Sequence, residues 1–243
     1  MNPILFSLPG FLGRPDDWHS ILSQSSSIFH IPCTYIDNFT QNMVEWSRLF
    51  NKQIEKQYGY PSKENHHIIV GYSLGARLAM HLLQDNPKLW DAAVLVSAHT
   101  GMNMNENRLL ADRAWADKFR SNPWDEVMNA WEDQEVFRVG STRFTREEKY
   151  YQRELLAEIL THWSVGHQKD FQTFLQSAPV PILWCAGLND RAYTERAKKL
   201  SLSHPQSKIA LFSEAGHRVP WDQPKKFIFE LEAFINSLKR MVK

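Results

Sequence analysis

Residues 66–83 leave few folds open. They begin with a β-branched run, Ile68-Ile69-Val70, of the kind that forms a buried strand. Gly71-Tyr72-Ser73-Leu74-Gly75 follows, a G-x-S-x-G box, after which Ala76, Leu78, Ala79, Leu82 and Leu83 continue as an apolar helical pattern. Strand, glycine-flanked serine and helix in that order form a nucleophile elbow, a turn too tight for a Cβ on either flank that lifts the Ser73 hydroxyl clear of the sheet. The helix beyond it turns its free N–H groups and positive dipole end toward the serine, which favours developing negative charge. Arg77 lies about one helical turn past Ser73 and returns to the same side.

The elbow sits in a regular alternation. Residues 4–8 read as a first strand, a short helix begins at Asp16-Asp17-Trp18, and residues 29–36 read as a second strand that Pro32 confines to an edge or bends. Residues 44–58 carry a helical pattern stopped by Gly59-Tyr60-Pro61, and residues 91–96 form another apolar strand. This order predicts an α/β fold, a mostly parallel sheet with helices on both faces. From 98 to 176 the rhythm breaks into helical, aromatic-rich sequence, including Trp115, Phe119, Trp124, Trp131 and Trp163. We expect a helical lid there, inserted between a first core part, 1–97, and a second, 177–243. Most of its aromatics are expected to pack inward. The sheet resumes at 181–186, followed by a helix at 194–202, a strand at 208–212 and a closing amphipathic helix at 224–238. Lys239-Arg240 reads as a solvated end.

Three loops complete a chemical constellation. In such a sheet the order is serine, acid, histidine. Asp190 follows one late strand and His217 the next, both on the edge where Ser73 sits. His217 can take the Ser73 proton while Asp190 orients the ring and steadies its positive charge. Pro9-Gly10-Phe11-Leu12-Gly13 ends the first strand at the same edge, where loops border the ligand crevice. The backbone N–H groups of Phe11 and Leu74 are the expected oxyanion donors.

Other functions find little support. The net charge is +1, so bulk electrostatics suggest no nucleic-acid partner. No stretch approaches the ~20 apolar residues a transmembrane helix needs, and the start lacks the basic and apolar regions of a signal peptide. Two cysteines outside any C-x-x-C pair fit a reduced, cytoplasmic protein. His66-His67 lacks the further ligands of a metal site, and the first loop lacks G-x-G-x-x-G spacing, so neither metal nor cofactor is expected.

At this point the chain resembles a family within the α/β-hydrolase fold, the 2-succinyl-6-hydroxy-2,4-cyclohexadiene-1-carboxylate synthases of menaquinone biosynthesis. The resemblance rests on Gly-Tyr-Ser-Leu-Gly-Ala-Arg at 71–77, on Gly10-Phe11-Leu12-Gly13 with Trp18, on the lid stretch from Asn107-Arg108 to Phe119, on Trp131 before Val136-Phe137, and on Ala215-Gly216-His217. It implies an elimination: Ser73 as base, activated by His217 and Asp190, with Arg77 and Arg108 each gripping a carboxylate of a small polycarboxylate substrate. It also implies that Tyr72 and Trp131 shape the pocket. The chain departs from the family twice. Pro9-Gly10 stands where the family has His-Gly, and Thr161-His162-Trp163 before Gly166 stands near a further lid arginine, where His162 or His167 supplies a cation only when protonated. Two alternatives use the same scaffold: a carboxylester or thioester hydrolase forming an acyl-enzyme on Ser73, and a non-catalytic binder, against which an intact Ser, Asp and His set speaks.

Overall fold

Successive side chains of a strand face opposite ways, and this chain fills both sides. In the computed structural model, which describes residues 2–238, β1 (Asn2–Leu8) leads through a 3₁₀ turn (Pro15–Trp18) and α1 (His19–Leu22) to β2 (Phe29–Pro32). Then come α2 (Met43–Tyr58), β3 (Asn65–Tyr72), α3 (Leu74–Asp85) and β4 (Ala92–Val96). Five helices follow: α4 (Glu106–Ser121), α5 (Trp124–Glu132), α6 (Glu135–Arg138), α7 (Arg153–His162) and α8 (Gln172–Gln176). The chain closes with β5 (Ile182–Gly187), α9 (Arg191–Lys199), β6 (Lys208–Phe212), α10 (Val219–Asp222) and α11 (Pro224–Leu238). Lys239 and Arg240 lie outside the described residues.

The strands form one sheet in the order β2-β1-β3-β4-β5-β6, and every pairing is parallel. Phe6, Ile69, Leu95 and Trp184 face α2 and α3, where they meet Trp46, Phe50, Leu78 and Leu82. Leu5, Ile68, Val70 and Val94 face the other way, onto Trp18 and Ile21 and onto Phe227, Leu231 and Phe234 of α11. A third apolar cluster joins α4, α5 and α7 through Phe119, Trp124, Val127 and Leu156 and rests on Leu12 of the loop after β1. Those helices are tied down by polar contacts too: Arg146 donates to both Asp17 oxygens at 2.9 and 2.7 Å, and the Tyr151 hydroxyl donates to the Leu12 carbonyl at 2.8 Å.

Two elements differ most in extent from expectation. The second strand stops at Pro32, not residue 36: it is the edge strand, and beyond Pro32 only the Cys33 N–H, donated to Ser7 O at 2.9 Å, continues the pairing. The chain then turns so that the Tyr35 hydroxyl reaches the Gly10 carbonyl at 2.9 Å. The helix expected over 194–202 spans Arg191–Lys199, because Asp190 is its N-cap and accepts the Tyr193 N–H at 3.3 Å. No helix among the described residues is long and apolar enough to cross a membrane.

His81, inside α3, carries a cost of burial. Its Nε2 is sealed without a partner, and burial, then the charges of Arg77 and Lys169, pull its pKa from 6.5 to about 3. Between those values the unfolded chain binds the extra proton, so stability is full above pH 6.5 and is lost as pH falls below it, by up to about 1.4 kcal/mol per pH unit. Urea midpoints at pH 8 and pH 5 should therefore move less in His81→Leu than in the wild type, by about 1–2 kcal/mol. An equal loss in both proteins would contradict this placement of His81.

Candidate active site

Ser73 joins β3 to α3 with φ 52° and ψ −108°, a conformation that costs a non-glycine residue about 1–3 kcal/mol. The surroundings leave it no alternative. Its N–H donates to Val96 O at 2.9 Å, and its carbonyl accepts the Arg77 N–H at 3.1 Å. A Cβ on Gly75 would lie 2.3 Å from Leu8 O, and one on Gly71 would lie 2.4 Å from Gly75 O. The glycines are therefore needed for close backbone approach, and the serine is pressed outward at the carboxyl ends of β1, β3 and β4.

The two downstream loops meet it there. Ser73 Oγ lies 3.0 Å from His217 Nε2, and His217 Nδ1 lies 2.8 Å from Asp190 Oδ2. A carboxylate only accepts, so His217 carries its proton on Nδ1 and presents the Nε2 lone pair to the serine hydroxyl. His217 is 2% exposed and Asp190 4%. The His217 carbonyl accepts the Ser97 hydroxyl at 2.7 Å, and the rings of Tyr193, Tyr72 and Phe137 enclose the imidazole at 4.5, 5.5 and 5.7 Å. Such a set can draw a proton from Ser73 and hold it. Among the described residues no acceptor takes the N–H of Phe11 or Leu74, and both residues line the space beside Ser73.

A cavity of about 220 Å³ opens over the serine, lined by Phe11, Leu74, Trp131 and His217 together with Arg77, His99 and Arg108. Arg77 is buried; its Nε donates to Gln168 Oε1 at 2.6 Å and its Nη2 to Trp163 O at 2.7 Å. Among the described residues no carboxylate pairs with it. Burial, then the charge of Arg108, lowers its pKa to about 10. Arg108 is compensated by Asp112, which accepts its Nε at 2.8 Å and the Ser164 hydroxyl at 2.6 Å. Arg218, the residue after His217, makes a two-pronged pair with Glu132 of α5, at 2.7 and 2.5 Å, and so ties the histidine loop to the helices above it.

Ser73, Phe11, Leu74, Arg77, Arg108, Trp131 and His217 thus surround one cavity, with Asp190 behind His217. Tyr72 is the exception among the expected lining residues. It lines an adjoining cleft of about 50 Å³ that Ser73, Phe11 and Trp131 also line, and it stacks edge-on against Trp221 at 5.0 Å. His162 and His167 are excluded as stand-in cations for this cavity, because they line a separate one of about 490 Å³ with His81 and Lys169. Trp163, Ser164 and Val165 take the wall instead. Asp112, Gln168, His99, Tyr193 and Arg218 were not foreseen. Asp112 had a readable signal, its four-residue spacing from Arg108 on one helix. Gln168 had none, being 91 residues from the arginine it holds. No cluster of three or more metal-ligating side chains occurs among the described residues.

The fold and this constellation define a class, and comparison with known proteins agrees: the chain belongs to the alpha/beta hydrolase family, whose model matches residues 2–231. Within it, the resemblance to the 2-succinyl-6-hydroxy-2,4-cyclohexadiene-1-carboxylate synthases extends over nearly the whole chain. The synthase of Yersinia pseudotuberculosis is 28% identical over 97% of this chain and 88% of that relative. That of Photorhabdus laumondii is 26% identical over 89% of this chain and 81% of that relative. The solved structure of MenH from S. aureus superposes with a TM-score of 0.83 at 21% identity, covering 99% of this chain and 96% of that one.

The elbow's tightness is testable without substrate. Gly75→Ala forces a methyl into the Leu8 carbonyl and should cost about 1–3 kcal/mol in chemical denaturation. Unchanged stability would contradict the close approach of β1 to the head of α3.

Proposed function

We propose that this chain is a 2-succinyl-6-hydroxy-2,4-cyclohexadiene-1-carboxylate synthase, a carbon–oxygen lyase that eliminates pyruvate from 2-succinyl-5-enolpyruvyl-6-hydroxy-3-cyclohexene-1-carboxylate in menaquinone biosynthesis. Ser73, its proton drawn onto His217 Nε2, removes a ring proton. That proton is on C2, beside the succinyl carbonyl: its C–H electron pair becomes the C2–C3 double bond, the existing C3–C4 double bond shifts to C4–C5, the C5–O bond breaks, and the departing enolpyruvate takes up the proton held on His217 to become pyruvate. Asp190 holds the imidazolium that results. The N–H groups of Phe11 and Leu74 stabilise the enolate charge that develops. Arg77 and Arg108 grip substrate carboxylates, and Trp131 forms the apolar wall beside the ring. Tyr72 contributes by backing His217.

The observation that carries this reading is Arg77. A guanidinium taken out of water without a counter-ion is costly, and this one lines the cavity that holds the serine. A substrate rich in carboxylates supplies the missing charge. A neutral ester does not, which counts against the hydrolase alternative on the same triad. Both cysteines are free and buried, in keeping with a reducing cytoplasm.

Pyruvate release from the enolpyruvyl substrate, followed through a coupled dehydrogenase, tests the reading. Ser73→Ala should lower kcat by about 10³-fold or more. Arg77→Ala should lower kcat/KM by roughly 10- to 100-fold, and Arg77→Lys should recover only part of it because the fork is lost. No pyruvate from micromolar wild-type enzyme, with a p-nitrophenyl acetate burst in its place, would overturn the lyase in favour of the hydrolase.

A further inference from the structure

The loop after β4 brings one more side chain to the cavity. His99 is buried in its wall, beside Arg77 and Arg108. The Gly101 N–H donates to His99 Nδ1 at 3.0 Å. A backbone amide only donates, so Nδ1 holds a lone pair and the ring proton sits on Nε2. Position 101 needs a glycine: its φ is 120°, and a Cβ there would lie 2.1 Å from Lys169 O. The loop is laced to the opposite one by Met102 N–H and Asn103 N–H to Gln168 O, at 3.1 and 2.9 Å, and by Phe171 N–H to Thr100 O at 2.8 Å.

Nε2 is left over. Among the described residues nothing accepts its proton, yet the sealed, partnerless polar side-chain atoms are His81 Nε2 and Arg196 Nε, not this one. The His99 donor is therefore reachable, and the Ser73 cavity is the space its ring lines. Gln168 holds it in register with Arg77: its Oε1 accepts Arg77 Nε at 2.6 Å, while its Nε2 donates to the carbonyls of His99 and Thr100 at 3.3 and 3.2 Å. One buried amide side chain thus fixes a cation and a neutral donor relative to each other.

We propose that His99 is a specificity-determining residue of this cavity, a neutral imidazole that donates its Nε2 proton to a carboxylate oxygen of the substrate held by Arg77. The proposal rests on the lyase reading for the identity of that substrate. Burial, then the charges of Arg196, Arg77 and Arg108, keep the ring neutral, with its pKa lowered to about 3. A donor without charge suits a site already holding two guanidinium groups, since a third cation there would meet like-charge repulsion. A site built to hydrogen-bond one oxygen also rejects analogues that lack it, because its own donor is then left unpaired.

Calorimetric binding of the enolpyruvyl substrate to Ser73→Ala, with and without a second substitution, tests this. Adding His99→Phe should raise Kd roughly 10- to 100-fold. Adding His99→Gln, whose amide nitrogen can stand where Nε2 stood, should recover most of the affinity. His99→Asn reaches only the Nδ1 position and should not. In the active enzyme the same series should act mainly on KM, with kcat and the thermal midpoint nearly constant between Gln and Asn. Equal affinity of the Phe variant and its parent overturns the proposal, and so does equal affinity of Gln and Asn, the comparison that decides if the Phe variant fails to fold. Wild-type turnover with unaltered His99→Phe binding overturns this inference alone, whereas absence of wild-type pyruvate release overturns the lyase reading and this ligand with it.

Discussion

The strained turn at Ser73 sets the distances of the whole site. Its backbone sits at φ 52° because Gly75 is pressed on Leu8 O and the Ser73 N–H is committed to Val96 O, so three neighbouring strands hold the serine in place at once. Local strain of this size persists only when the surroundings over-determine it, and here a central, fully parallel sheet does so. The turn has two consequences. It points Oγ at His217, 144 residues downstream, at 3.0 Å. It also starts α3 in register, so that Arg77 emerges one turn later on the same side and lines the same cavity.

Charge is distributed around that cavity by contrast. Arg108 and Arg218 have carboxylates of their own, Asp112 and Glu132. Arg77 is given neutral acceptors, the Gln168 side chain, the Trp163 carbonyl and the Met43 sulfur, which satisfy part of its fork without neutralising it. The protein thereby orients a cation while leaving its charge unspent, which is the arrangement a binding site for carboxylates needs. Arg218 and Asp222 act at a different place. Arg218 joins the histidine loop to Glu132 and to the Thr142 carbonyl, and Asp222 gathers the N–H groups of Gly216, Ser141 and Thr142. The loop that positions the base and the segment that covers it are therefore held together as one unit.

What could be read in the chain beforehand follows from how local each signal is. The G-x-S-x-G box, the apolar strands and the capped helices are written within a few residues, and the order of strands along the chain already implies a parallel sheet. The loops carrying Asp190 and His217 were legible because they follow strands. The end of β2 at Pro32 was not, since it depends on what the edge strand pairs with. Contacts across the chain were least visible: nothing near residue 168 announces that its amide will hold Arg77, and nothing beside Tyr72 announces that it lines the smaller cleft next to the serine and not the main cavity. His162 and His167 read as cations for the site from position alone, yet α7 and the turn after it present Trp163, Ser164 and Val165 to the cavity instead.

In the proposed lyase, a buried arginine with no carboxylate of its own and an activated serine act on one bound polycarboxylate. A crystal structure of Ser73→Ala with the enolpyruvyl substrate decides the matter. A substrate carboxylate should lie within hydrogen-bond distance of the free edge of the Arg77 guanidinium, and the ring carbon that loses its proton should face the position of the missing hydroxyl. A substrate seated elsewhere, or one with its carboxylates turned to solvent and Arg77 unoccupied, would contradict it.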